Sequence, residues 1–254
     1  MSVLEMRNAA KLINNGPKEK KTLLDHIDLS IKKNDFITVL GGNGAGKSTL
    51  FNTVSGSMPL SSGKIFIGDK EVTQLSEENR ASSISRVFQD PKMGTAPRMT
   101  VAENLLLAKG RGKKRRLRLR QLKQNLDHFY QITKEVGNGL ENHLHTPAGD
   151  LSGGQRQALS LLMATIQTPQ LLLLDEHTAA LDPKTSKLLM QLTDQRIQEQ
   201  QLTCLMITHR MEDALQYGNR MIVMQKGEIM QDLNEEEKAK LSMPDLLQFF
   251  EEIN

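Results

Sequence analysis

The sequence predicts an α/β chain with a parallel-sheet core, an N-terminal antiparallel β-subdomain and a helical subdomain. Three patterns in the 254 residues point there. Residues 36–56 read as strand, glycine-rich turn and helix. Residues 155–207 alternate helix with short apolar strands, as crossovers between parallel strands require. The residues before and just after the glycine-rich turn read as short strands, one of them in strict apolar alternation, which suits half-buried strands.

Val3–Met6 is a strand, and Leu23–Ile31 is another, with Ile27, Leu29 and Ile31 on one face. Phe36–Leu40 is apolar and β-rich. Leu50–Val54 places apolar residues on one helical face and stops at Gly56. Lys64–Ile67 is a strand turning at Gly68-Asp69. From Thr100 to Val136 the pattern is helical, with Leu119, Leu122, Leu126 and Phe129 at spacings of three and four. Asn138–Asp150, with its glycines and proline, reads as a loop. A helix over Gln155–Gln167 ends at Thr168-Pro169 and leads to a buried strand, Leu171–Asp175. Asp182 caps a helix that has Pro183 at its first position and runs to about Glu199. Leu202–Ile207 is a strand, and Met221–Met224 with Glu228–Met230 form a hairpin around Lys226-Gly227. In Ser242–Ile253 the residues Leu246, Leu247, Phe249, Phe250 and Ile253 share a face, expected to dock on the core. The expected organisation is one domain over 1–254, with its helical subdomain at about 90–160 and a tail at about 234–254.

Composition narrows the classes. Hydrophobic residues make up 38%, enough for a core, and no apolar run approaches the ~18 residues of a membrane span. Met1–Lys11 lacks the apolar stretch of a secretory signal. A single cysteine, Cys204, excludes an internal disulfide framework and fits a reducing compartment; its apolar neighbours predict a buried strand position. A net charge of +3 is too mild to argue for a nucleic-acid binder. Lys109–Lys123 nevertheless holds nine Lys or Arg and no acid. Three readings are open to it: a solvated face, contact with anionic lipid heads at roughly 1 kcal/mol per well-placed cation, or nucleic acid. His143 and His145 bracket Leu144 without a further ligand, so no metal site is expected there.

The glycine-rich turn reads Gly41-Gly42-Asn43-Gly44-Ala45-Gly46-Lys47-Ser48-Thr49, and meets the G-x-x-x-x-G-K-[ST] phosphate-loop pattern at every required place. Its backbone N–H groups and the following helix N-terminus favour phosphate oxygens. Lys47 can reach β- and γ-phosphates, and the Ser48 hydroxyl can ligate Mg²⁺. The leucine run ends in Asp175 and Glu176. Asp175 can hold Mg²⁺ through water, and Glu176 can act as general base toward an attacking water. Leu151-Ser152-Gly153-Gly154-Gln155 opens the helix before that strand, a second anion site on the same chain.

With both phosphate-binding elements present, the chain resembles the nucleotide-binding subunit of an ABC transporter over about residues 3–230. The resemblance implies a P-loop NTPase core, ATP and Mg²⁺ as cofactors, and a signature (Ser152, Gly153, Gly154, Gln155) that binds the γ-phosphate held by a second copy. It implies that Gln89, in Val87-Phe88-Gln89-Asp90-Pro91, contacts Mg²⁺ or the water and relays to a membrane subunit. It implies that His209, after Ile207-Thr208, contacts the γ-phosphate, and that Asp182 belongs to a loop touching the opposite site. The implied partners are a head-to-tail second copy, an integral membrane permease and a substrate-binding protein, with the chain on the cytoplasmic face of the membrane and no nucleic acid. Residues 87–97 and 175–183 resemble a bacterial uptake subgroup associated with amino acids. The rivals are an exporter ATPase and a soluble ATPase of this family acting on DNA or ribosomes. The first soluble type needs a coiled-coil or zinc insertion, the second two cassettes; neither feature occurs here.

Two positions depart from the family. His177 stands where proline usually follows the glutamate, and is expected to alter loop stiffness or to add a titrating group beside the site. The family stacks adenine on an early aromatic, yet no Phe, Tyr or Trp precedes Phe36. Ile13 takes the expected position, at a cost of about 1 kcal/mol in lost stacking.

Overall fold

The computed structural model describes residues 2–14, 20–112 and 121–251. The chain opens with two long strands, β1 (Ser2–Asn14) and β2 (Lys20–Lys32), followed by β3 (Phe36–Gly41) and helix α1 (Lys47–Ser55). Next come β4 (Ser62–Ile67), β5 (Lys70–Glu71), the short α2 (Glu77–Arg80) and β6 (Ile84–Val87). A helical stretch follows: α3 (Pro91–Gly94), α4 (Val101–Lys109), α5 (Leu122–Lys134) and α6 (Gly153–Thr165). The rest comprises β7 (Leu171–Asp175), α7 (Pro183–Gln200), β8 (Cys204–Ile207), α8 (Met211–Gln216), β9 (Arg220–Gln225), β10 (Glu228–Leu233), α9 (Glu235–Ala239) and α10 (Met243–Glu251).

These strands form two sheets, ordered β2-β1-β4-β5 and β10-β9-β3-β8-β7-β6. The first is antiparallel. In the second, β9, β3, β8, β7 and β6 run parallel and only β10 is antiparallel. The expected parallel core and antiparallel subdomain are therefore both present. The middle strands are buried on both faces, which is why they read as unbroken apolar runs. Leu172, Leu174, Cys204 and Met206 join a core shared with α4, α5 and α6. Their neighbours Leu171, Leu173, Leu205 and Ile207 join a second core with α1 and the antiparallel sheet. Cys204 is buried as expected, and burial pushes its thiol well up.

Helix α1 is wedged into that second core by Leu50, Phe51 and Val54. Its last turn is capped by a cation that sequence reading passed over. Arg80, 3% exposed, donates to the carbonyls of Thr53 (2.7 Å), Val54 (2.8 Å), Thr73 (3.0 Å) and Leu75 (3.0 Å). A positive group at a helix C-terminus complements the dipole. Gly56 ends the helix at φ 89°, and a Cβ there would meet Arg80 Nε at 2.9 Å.

The expected continuous helical pattern over Thr100–Val136 is corrected. A capping box of Thr100 and Glu103 starts α4, which stops at Gly110, and α5 begins at Leu122. Most of the basic run, residues 113–120 with Leu119, lies outside the described residues. Its first members do not form a solvated face: Lys109 Nζ bonds Asn125 Oδ1 at 2.5 Å, and Arg111 Nη2 donates to the carbonyls of Ala164 and Gln167, both at 3.2 Å. The loop over 138–150 contains two 3-10 turns. The tail docks through Leu246, fully buried with Leu40, Ala214 and Met221, whereas Leu247 is 48% exposed and lies off the docking face. Ile253 and the side chains of Phe249 and Phe250 lie outside what is described. Among the described residues no helix is long and apolar enough to cross a membrane.

Candidate functional site

The parallel strands deliver the site from one edge. Gly41 follows Leu40 at the end of β3, Asp175 ends β7, and Ile207 ends β8, with Asp175 paired to Ile207 and Val87 to Leu174. The loops after β3, β6, β7 and β8 therefore emerge side by side at the carboxyl ends of the strands, where open α/β sheets bind ligands.

The phosphate loop turns through Gly46, held at φ 103° with Leu23 O of β2 at 2.8 Å from where a Cβ would stand. Only glycine combines that backbone angle with that contact. Lys47 is 5% exposed, and its Nζ donates to Gly41 O (2.7 Å) and Gly42 O (3.0 Å) across the loop. Burial lowers its pKa, and the nearby Glu176 and Asp175 carboxylates act against that shift. Ser48 lies exposed at the start of α1. Gly41, Gly42 and Asn43 line a cleft with Thr208, His209 and Met211.

Glu176 adopts φ 47° just beyond β7, and its N–H donates to Ile207 O at 3.1 Å. That turn brings its Oε1 to 2.5 Å from His209 Nε2. Two residues 33 positions apart in sequence thus meet at the cleft. Gln89 leaves β6 at the same edge and is exposed.

The signature lies elsewhere. Ser152 and Gln155 form a reciprocal capping box at the N-terminus of α6, both bonds 3.3 Å, leaving the N–H groups of Gly153 and Gly154 in the first turn. A Cβ on Gly154 would meet Thr185 Cγ2 at 2.5 Å, so glycine lets α6 approach the start of α7. Asp182 caps α7 as expected, accepting from Lys184 and Thr185 N–H, both at 3.1 Å. The Thr185 hydrogen bonds, followed by the Lys184 N–H, hold its carboxyl below the usual range. Helix α6 packs chiefly on α3, α4, α5, α7 and β6, whereas α1 packs on β2, β3 and β7, so within one chain the signature and the phosphate loop belong to different packing groups. Ile13 pairs with Lys21 near the end of the β1–β2 ladder and is 36% exposed. A few residues on, Leu23 of β2 abuts the phosphate loop at Gly46.

His177 corrects the expectation of a titrating group beside the site. It is 2% exposed and its Nε2 lies 3.0 Å from Thr193 Oγ1 in α7. The Thr193 hydroxyl donates to Leu189 O, so it accepts from the imidazole Nε2–H. Burial lowers the pKa to about 4, leaving the ring neutral at physiological pH. The loop after Glu176 is tied to α7 by this bond, where proline would have stiffened it through its ring.

Beside Arg80, two polar residues near the site gave no clear signal in the sequence. Gln157 is buried and donates from Nε2 to Phe88 O at 2.9 Å, joining the signature helix to the loop of Gln89. Arg86 of β6 reaches Asp175 Oδ2 at 2.5 Å and Asn52 Oδ1 at 2.7 Å. An arginine inside a strand, next in the sheet to the carboxylate strand, was the available signal.

A parallel sheet whose edge gathers a phosphate loop, a carboxylate pair and a strand-end histidine, with a separate helix-capped glycine turn, defines an ATP-hydrolysing cassette. The chain belongs to the ABC transporter family, whose profile matches residues 24–179. It is 43% identical to the tyrosine transport ATP-binding protein of Clostridioides difficile (strain R20291), over 98% of this chain and 99% of that one. It is 31% identical to the phosphonates import ATP-binding protein PhnC 2 of Oceanobacillus iheyensis, over 91% of this chain and 90% of that one. Among solved structures, a dimeric ATP-binding cassette in a post-hydrolysis state with ADP and Pi superposes with a TM-score of 0.78 at 25% identity, covering 91% of this chain and 98% of that one.

Proposed function

We propose that this chain powers a bacterial importer of a small solute, of the amino-acid class, by closing and reopening as a head-to-tail pair around ATP. The observation that carries the catalytic part is the 2.5 Å approach of His209 Nε2 to Glu176 Oε1 at the mouth of the phosphate-loop cleft. Glu176 takes the proton of the attacking water. His209 holds that carboxylate and, beside Gly42 and Asn43, faces the position of the γ-phosphate. Lys47 contacts the β- and γ-phosphates once they replace its loop carbonyls, and Thr49 with Asn43, Gly44 and Ala45 completes the cradle. Ile13 contacts the base.

Ser48, Gln89 and Asp175 offer a hydroxyl, an amide oxygen and a carboxylate, the hard oxygen donors Mg²⁺ takes beside phosphate oxygens and water. Mg²⁺ held by these residues would supply charge neutralisation for the phosphates.

The separation of Ser152, Gly153, Gly154 and Gln155 from the phosphate loop supports a second copy that supplies them across the interface. Asp182 caps the start of α7, the helix against which Gly154 packs through Thr185. The absence of a membrane-crossing helix among the described residues supports a separate permease as the solute path, with this chain at the membrane's cytoplasmic face. A substrate-binding protein delivers the solute. The full-length likeness to a tyrosine transport cassette supports an amino acid as cargo.

Glu176→Gln tests the scheme, because the amide keeps size but cannot accept the proton. Expected are intact ATP binding, turnover below detection and an ATP-dependent dimer on size-exclusion chromatography. Turnover near wild type would remove Glu176 from the role. Cells lacking the gene should lose ATP-driven uptake of labelled tyrosine or a related amino acid; unchanged uptake of all of them would remove the cargo assignment.

A further inference from the structure

Arg86 is held on three sides. Its Nη2 lies 2.5 Å from Asp175 Oδ2 and its Nη1 donates to Asn52 Oδ1 of α1 at 2.7 Å. The guanidinium carbon sits 4.8 Å from the ring centroid of Phe88 and 5.9 Å from that of Phe51. The two partners of this ion pair are only 10% and 14% exposed, so solvent screens it weakly. Asn52, Phe51 and Phe88 belong to the phosphate-loop helix and to the start of the Gln89 loop. One cation therefore connects the three elements that converge on nucleotide. Yet a residue placed to receive a divalent cation gains nothing obvious from a monovalent one already bound to its oxygen.

We infer that Arg86 is a positioning residue that holds Asp175 in place and, by occupying its Oδ2, keeps divalent metal from binding this carboxylate before nucleotide arrives. The inference rests on Asp175 being the metal-directed carboxylate. With Asp175 already compensated, metal enters as its complex with ATP, whose phosphates supply most of the negative charge. Without Arg86, Asp175 would present a carboxylate with a free Oδ2 beside that of Glu176, with Lys47 the cation nearby. Arg86 also makes the geometry of Asp175 depend on the strand that leads into Gln89. The planar, forked guanidinium bonds Asn52 and Asp175 through separate nitrogens, whereas lysine has to reach both from one ammonium nitrogen.

The test uses the full chain and Mn²⁺, read by electron paramagnetic resonance, with and without a non-hydrolysable ATP analogue. In the nucleotide-free protein, Arg86→Met should tighten Mn²⁺ binding by about tenfold, the effect of removing one weakly screened cation from beside the oxygen. Arg86→Lys, which keeps a positive charge beside Oδ2, should stay within about twofold of wild type. Adding Asp175→Asn to Arg86→Met should cancel the gain. Circular dichroism checks folding, and Arg86→Gln takes the place of Arg86→Met if the latter is unfolded. No tightening in the neutral variant, or tightening that survives Asp175→Asn, overturns the inference. A separate result bears on its premise: if Asp175→Asn leaves Mn²⁺ affinity unchanged in the analogue-loaded protein, the metal role of Asp175 is wrong, whatever Arg86 does.

Discussion

Replacing Arg80 by methionine should loosen the end of the phosphate-loop helix. The guanidinium donates to four carbonyls and has no acidic partner among its described contacts. Burial lowers its pKa, so the fold bears a desolvation cost that these bonds must exceed. Methionine refills most of the volume and removes that cost. It also strips charge-assisted bonds worth roughly 1.5–3 kcal/mol each and leaves buried carbonyls short of a donor at about 1–3 kcal/mol apiece. With part of the loss recovered by desolvation and relaxation, a net destabilisation of about 4 kcal/mol is expected. In a chain of this size that lowers the melting temperature by about 10 °C. Arg80→Lys, with one donor group in place of a fork, should recover roughly half. Urea unfolding followed by circular dichroism gives the free energy, and a thermal scan gives the shift. Since Thr53 and Val54 close α1, ATP affinity should fall with stability. A loss under about 1 kcal/mol for Arg80→Met would instead mean that the carbonyls find other donors at no cost and that Arg80 does not hold the end of α1.

Two other expectations follow from buried or edge positions. His177 titrates near 6.5 when unfolded and at about 4 when folded, so between those values the unfolded chain binds more protons. Its contribution is complete above about pH 6.5 and is lost as pH falls toward 4, amounting to roughly 2.5 kcal/mol by about pH 4.5. Metal-free urea unfolding at both ends of that window should show His177→Gln, which keeps a donor but cannot titrate, losing that much less than wild type; parallel losses would show that the imidazole is not held neutral. Ile13→Tyr should tighten ATP binding about fivefold through ~1 kcal/mol of stacking, and Ile13→Ala should weaken it. Tripolyphosphate affinity should not move, and if it moves as much as ATP affinity does, Ile13 acts through the fold rather than the base.

What the residues determined alone was local and periodic. Gly41-x-x-x-x-Gly46-Lys47-Ser48 required a strand before it and a helix after it, and both are there because glycine conformations and helix N-termini are set by near neighbours. The run Phe36–Leu40 read as an apolar, β-rich strand and Leu171–Asp175 as a buried one, and Asp182-Pro183 marked a helix start that the carboxylate caps. Short elements with polar members were not legible. Strand β6 carries Ser85 and Arg86, and α2, α8 and α9 are too brief for a period to emerge. Tertiary structure alone decided which polar groups meet. Glu176 and His209 converge because β7 and β8 are paired in parallel and Glu176 turns through a positive φ. Arg86 finds Asp175 because β6 lies next to β7, and His177 turns away from the site into α7. Each of these is a contact between residues distant in sequence, fixed by strand order and burial, and no pattern within a single segment encodes strand order.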